Sequence, residues 1–272
     1  MFNATLSNEM LQRKAPSIFG ESGAERTSEK YSHISTIQVI DALRCEGYFP
    51  VDAMQSRSRI PGRAEHAKHC VRFRHSDTLA NPGAGLFPEL VLTNSHDGLS
   101  SYKLQAGLYR LVCSNGMIVG ETYKSVRVRH SGDIVGNVIE GTYEVMQEGE
   151  KILDAAETMR GLELSVDERA AFGEAVHELY FAGNESPLVE AIKPEQFLKL
   201  RRGADNRQDL FTVFNRAQEN VIRGGLRGSY IDPKRGYVRT STREIKSIDK
   251  NNALNRALWT LAEEMQRLKG VA

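Results

Sequence analysis

The run PELVLTNSHDGLSSYKLQAGLYRLVCSNGMIVGE, residues 88–121, decides the fold class. Glu89 to Asn94, Leu108 to Cys113 and Met117 to Val119 read as strands because apolar and polar positions alternate and turn residues separate them. Ser114-Asn115-Gly116 predicts a hairpin turn, since Asn and Gly both tolerate the positive φ of a tight reversal. On either side of this run, Phe49 to Met54, Cys70 to His75 and Ser125 to Arg129 show the same alternation, with Pro61, Gly62, Asn81, Pro82 and Gly83 as turn signals between strands. Before the sheet, TIQVIDALRC from Thr36 places Ile37, Ile40 and Leu43 at helical spacing, with Thr36 as a capping hydroxyl and Gly47 as the stop. These readings predict an α+β chain with a mostly antiparallel sheet and one helix in its N-terminal half.

Beyond Gly132 the period changes from two to 3.6. Asn137–Arg160 predicts one long helix, Ser165–Phe181 a second with Ser165 and Glu168 as a capping box, Gln208–Arg223 a third, and Asp249–Lys269 a fourth with Leu254, Leu258, Trp259, Leu261 and Met265 toward a core. The first thirty residues lack sustained periodicity and predict a flexible arm. The expected organisation is an arm over 1–30, a sheet-containing region over 31–131, and a mainly helical region over 132–272 that carries a basic Gly/Arg loop at 224–243. No solenoid-like repeat is present.

At 272 residues, 40% hydrophobic and 26% charged, the composition is that of a globular protein rather than a disordered or fibrous one. No apolar run reaches the ~18–20 residues of a membrane span. The start lacks a signal-peptide layout, so the sequence predicts a cytoplasmic protein without membrane association. Cys45, Cys70 and Cys113 are odd in number, far apart and form no CxxC pair, which predicts reduced thiols rather than disulfides or structural zinc. No cofactor motif occurs: the glycines form neither a Walker A nor a GxGxxG pattern.

The net charge of +1 hides a strong asymmetry. Between residues 140 and 199, fourteen acids face five bases, a net of −9; between 201 and 250, twelve bases face six acids, a net of +6. Arg57, Arg59, Arg63, Lys68, Arg72 and Arg74 face Glu65 alone within their own segment. Alternation sets Arg72 and Arg74 opposite Val71 and Phe73, which predicts guanidinium groups projecting from a sheet face, joined by Lys103, Arg110, Arg127 and Arg129. The 224–243 segment adds Arg227, Tyr230, Arg235, Tyr237 and Arg239, a mixture of cations and aromatics suited to single-stranded nucleic acid. Neutralisation of these cations by the chain's own acidic helices is the competing reading.

The Ser95-His96-Asp97 run offers a general base beside a carboxylate, making His96 and Asp97 catalytic candidates; neighbours on a strand point to opposite faces, so a local turn built by Asn94, Asp97 and Gly98 competes with it. His66 and His69 at HxxH spacing are the metal-ligand candidates, without the acid of HExxH and among arginines that repel a cation.

SEKYSHISTIQVIDALRCEGYFPV (28–51), GRAEHAKHCVRFRH (62–75), the 88–121 run, VIEGTYEV (138–145) and NRALWTLAE (255–263) together resemble the YfjQ/YafZ-like family, a domain of unknown function, from about Tyr31 onward. The resemblance implies a protein of prophages, genomic islands and plasmids, acting in mobile-element DNA metabolism or in evading host defence, and it assigns no catalytic residue. The leading expectation is non-enzymatic binding of nucleic acid, single-stranded DNA in particular. The alternatives are an anti-defence protein that presents the acidic 140–195 helices to a host nuclease or restriction component, and a metal-dependent hydrolase centred on NSHDG.

Overall fold

The computed structural model describes residues 5–24, 27, 31–56, 64–80, 85–110, 115–118 and 124–270. The fold is α+β and divides into two compact units, residues 1–153 and 154–272. The boundary lies inside a helix rather than at residue 131, because the first helix of the helical half packs on the sheet. No helix among the described residues is long and apolar enough to cross a membrane.

The first unit begins with α1 (Asn8–Lys14), capped by Ser7, and a 3-10 turn over Pro16–Phe19. Leu11, Ala15 and Ile18 of this stretch are fully buried, so the expected flexible arm is packed structure over these residues. Helix α2 (Thr36–Cys45) follows, with Ser35 rather than Thr36 at the cap position, and Gly47 turns the chain at φ +83° as read from the sequence. Next come β1 (Tyr48–Gln55), β2 (His69–His75), the short α3 (Ser76–Ala80), β3 (Leu86–Asn94), β4 (Tyr102–Arg110), β5 (Asn115–Ile118) and β6 (Ser125–Val128). Every pairing is antiparallel, in the order β1-β2-β3-β4-β5, with β6 also on β4. Asn115 and Gly116 pair with Arg110 and Tyr109 and so belong to the β5 ladder, while Ser114 of the predicted turn lies outside the described residues. Arg57, Arg59, Arg63 and Cys113 lie outside the described residues. Of the other two cysteines, both free, Cys45 is exposed and Cys70 buried.

Register and alternation place Val71, Phe73, Leu90, Leu92, Leu104, Ala106 and Val126 on one face. Against it pack α2 and α4 (Ile134–Met146), the latter capped by Asp133. Gly141 lets α4 approach closely: a Cβ there would lie 2.8 Å from Val126 and 2.9 Å from Leu104. The predicted long helix is two, α4 and α5 (Gly149–Arg160), interrupted at Gln147-Glu148.

The second unit is built around α8 (Leu210–Arg223), whose residues 210–221 are all buried. Its neighbours are α6 (Val166–Phe181), which starts with the predicted Ser165/Glu168 capping box, and α9 (Ile248–Leu268); the short α7 (Leu188–Ala191) follows α6 in the chain. Trp259 of α9 is fully buried, edge-on to Phe214. Burial of a helix on all sides forces its polar groups to find protein partners. Accordingly Glu219 pairs with Arg202 and Arg223, Gln218 donates to Asn255, and Asn220 donates to the carbonyls of Phe197 and Lys199.

The 224–243 segment is not a loop. It forms an antiparallel hairpin of β7 (Arg227–Asp232) and β8 (Gly236–Ser241), joined by a turn in which Asp232 accepts from the backbone N–H groups of Lys234 and Arg235. Gly236 at φ +71° closes the turn, a conformation that L side chains rarely adopt. Gly228 fixes the hairpin on α7, since a Cβ there would lie 2.0 Å from the Ala191 carbonyl oxygen. Gly228→Ala is therefore expected to lift the hairpin from α7 and cost about 1–3 kcal/mol, read as a lowered urea midpoint. A midpoint equal to that of the parent would refute this seating.

Candidate functional site

Antiparallel pairing brings the start of β2, the end of β3, the start of β4 and the end of β6 to one end of the sheet, where α2 begins. That topology gathers His69, Asn94, Tyr102 and His130 around Thr36. The segment from Ser17 to His33 adds Ser17, Tyr31 and His33, and the turn after β3 adds His96. Ring centroids stand 4.8 Å apart for His33 and His96, 5.4 Å for His69 and His96, and 4.6 Å for Tyr31 and His130. Ser17, Thr36, His69, Asn94, His96 and Tyr102 have no accessible surface.

The Thr36 hydroxyl is the hub. Its oxygen lies 2.8 Å from His69 Nε2, 3.2 Å from His96 Nε2 and 3.1 Å from the Asn94 amide nitrogen, which donates to it. A hydroxyl donates once and accepts twice, which sorts the tautomers. His69 Nδ1 faces the Ala67 carbonyl at 3.1 Å and Ser17 Oγ at 2.8 Å, so it carries the proton. His69 Nε2 is then a lone pair that accepts from Thr36, and Thr36 accepts from Asn94 and from His96 Nε2–H. His96 Nδ1 is left as a buried lone pair with no hydrogen-bond partner. His33 likewise donates from Nε2 to the Gly20 carbonyl at 2.9 Å and keeps a buried, partnerless Nδ1.

The network suits uncharged imidazoles. Burial lowers the His69 pKa from 6.5 to about 4, an effect that the hydrogen bond to Ala67 opposes. Burial and then His69, His33, His130 and His66 lower His96 to about 3. His130, which meets Asn94 Oδ1 at 2.9 Å, is lowered for the same first reason, and burial followed by Asp97 raises the Tyr31 hydroxyl to about 12.

These positions correct two expectations. Asp97 accepts from Ser95 Oγ at 2.7 Å and from the Leu99 backbone N–H at 3.0 Å, which is the local turn; the buried His96 turns instead to Thr36, so Ser95, His96 and Asp97 form no triad. His69 spends both ring nitrogens on Ser17, Ala67 and Thr36, and among the described residues no group of three His, Cys, Asp or Glu side chains is placed to hold a metal ion.

The sheet cations are also redistributed. Arg72 and Arg74 share the correct strand face, but that face is not open to solvent: Glu89 is fully buried and meets Arg72 at 3.0 Å and Arg74 at 2.8 Å. The Arg74 guanidinium also lies 3.7 Å from the Tyr109 ring centroid. Arg110 is buried and Lys103 half-buried opposite Arg127. Arg127 and Arg129 are exposed and line one groove together with Glu140 and Glu144 of α4.

In the second unit, register puts Arg227, Ser229 and Ile231 beside Ser241, Arg239 and Tyr237 on a single hairpin face, and all six are exposed. Ile231 and Tyr237 are direct cross-strand partners at 82% and 67% exposure. Tyr230 lies on the opposite, half-buried face, while Arg235 stands in the turn. Among the described residues no carboxylate pairs with Arg227, Lys234, Arg235 or Arg239. A groove of about 740 Å³ follows this face and extends to Arg243.

Sequence reading singled out His66, His69 and His96 and missed His33, His130, Thr36 and Tyr102. One signal was present: six of the seven histidines fall between residues 33 and 130.

Comparison with known proteins accounts for nearly the whole chain. UPF0380 protein YafZ and UPF0380 protein YfjQ, both from Escherichia coli (strain K12), are each 41% identical over 260 residues, covering 96% of this chain and 91% of the relative. No solved structure matches. The family described as "Domain of unknown function (DUF932)" matches residues 24–259, across both units, and the chain belongs to that family.

Proposed function

We propose that this protein binds nucleic acid, single-stranded DNA in particular, through the exposed face of the β7–β8 hairpin. The observation that carries the reading is the six-residue face itself, where Arg239 and then Arg227 stand in successive rows behind an exposed Ile231–Tyr237 pair on a backbone seated against α7. Guanidinium groups without internal carboxylate partners are available to phosphates, and an exposed ring beside them is available to a base. Arg72 and Arg74 are not part of this surface, because both are engaged by Glu89.

Fluorescence anisotropy with a labelled oligo-dT at rising salt tests the reading. Binding is expected to fall linearly on a log–log plot, and Arg227→Ala with Arg239→Ala to reduce the slope by about 1.4, two contacts at ~0.7 each for a single strand. Tyr237→Ala is expected to cost about 1–3 kcal/mol of affinity with the slope unchanged. Absence of binding to single- and double-stranded oligonucleotides at low salt would remove the hypothesis.

A further inference from the structure

We propose that the imidazole network is an acid-sensitive latch that holds the described part of the N-terminal segment, residues 5–24 and 31–35, on the sheet, and that charging it releases this segment before the rest of the unit opens. From Ser17 onward the segment makes polar contacts to the network. Ser17 Oγ meets His69, the Ala24 backbone N–H donates to the His96 carbonyl at 2.9 Å, the Ser32 N–H donates to the His130 carbonyl at 2.8 Å, and the His33 ring packs edge-on to His96. Tyr31 stacks on His130. Away from the network it is held by Leu6 N–H on the Pro50 carbonyl, Arg44 on Asn8 Oδ1 and the Leu6 carbonyl, Ser17 N–H on Gln55, the exposed Lys14–Asp52 pair and three buried apolar side chains, Leu11, Ala15 and Ile18. A terminal segment with so little buried apolar surface opens at lower cost than the strands beneath it.

Protonation breaks this arrangement for reasons of valence. A second proton on His69 goes to Nε2, which now accepts from Thr36; Thr36 would then face three donors with two lone pairs. A second proton on His96 goes to Nδ1, where no acceptor waits. Every element around His96 offers little to stabilise a charge: His33 and Tyr31 from the N-terminal segment, His66 and His69 from the approach to β2 and its start, Tyr102 from β4, and His130 after β6. Asp97 is the nearest carboxylate in sequence, and its Oδ1 already accepts from Ser95 and Leu99. The sign follows from the lowered pKa values of His69 and His96. The closed form is unaffected above the free-histidine value of 6.5 and loses stability as pH falls below it, by up to about tenfold per pH unit for each histidine that opening restores to water.

Hydrogen–deuterium exchange of the full chain at pH 7.5 and pH 5.0, with labelling times scaled for intrinsic exchange, tests the latch. Peptides covering residues 8–19 are expected to lose protection by about tenfold or more at pH 5.0, while peptides of β3 and of α8 keep theirs. His96→Gln, which cannot charge, is expected to reduce that loss substantially. Equal protection of residues 8–19 at both pH values, equal loss across the whole first unit, or an undiminished loss in a folded His96→Gln variant would overturn the proposal. Should that variant not fold, long-range ¹⁵N–¹H spectra of the parent decide: imidazole charging is expected together with release, and a charged His69 or His96 under a fully protected segment would overturn it.

Discussion

Glu89→Ala is expected to destabilise the first unit by about 3–5 kcal/mol, among the largest effects of any single substitution in this chain. The carboxylate has no accessible surface and bridges two guanidiniums, of which Arg74 is itself buried and pressed on the Tyr109 ring. Removing it leaves two cations close together in low dielectric without the anion that made their burial tolerable. Replacing all three, as Arg72→Met, Glu89→Leu and Arg74→Met, is expected to recover most of the loss, because the charge and its counter-charges leave together. Urea unfolding followed by a probe confined to the first unit measures both. A Glu89→Ala variant within 1 kcal/mol of the parent would mean that the cluster is solvated and that the sheet face is available to phosphates after all.

That same cluster shows where the sequence was sufficient and where it was not. Alternation in HCVRFRH assigned Arg72 and Arg74 to the correct strand face, since a period of two is a local property of the backbone. Whether the face was wet depended on Glu89, fifteen residues beyond Arg74 and set by the β2–β3 register, in which Phe73 pairs with Leu90. A lone acid in the apolar strand LFPELVLTN hinted at a buried partner, because an uncompensated carboxylate is not stable there. The Ser165 capping box and Trp259 in the core were legible for the same local reason: each is decided within one or two helical turns.

The hairpin and the imidazole network were harder to read, for different reasons. Glycines and arginines over 224–243 resemble a flexible connector, yet the 227–241 ladder forms because one face can rest on α7, where Gly228 leaves room for the Ala191 carbonyl. Tertiary support overrode composition. In the network, His33, His69, His96 and His130 come from four segments, and no spacing rule relates them. Only the antiparallel order, which returns successive strands to one end of the sheet, makes them neighbours. The N-terminal stretch was misjudged similarly: its seven-residue helix is too short to be stable alone and exists because Leu11, Ala15 and Ile18 are buried.

Thr36→Val is expected to destabilise the first unit by about 3–5 kcal/mol, although it preserves shape and removes a single oxygen. That oxygen accepts from the Asn94 amide and His96 Nε2–H and donates to His69 Nε2, all at positions with no accessible surface. Each buried polar group deprived of its partner costs about 1–3 kcal/mol, and the extra methyl of valine repays little because the site is already closed. Thr36→Ser, which keeps the hydroxyl, is expected to lose about 1 kcal/mol or less, as for one deleted methyl group in a core. The pair of variants separates the hydrogen-bond hub from simple packing at the start of α2. If valine and serine at position 36 gave equal urea midpoints, the hydroxyl would not be organising the imidazoles, and the tautomer assignment that makes the network intolerant of charge would fall with it.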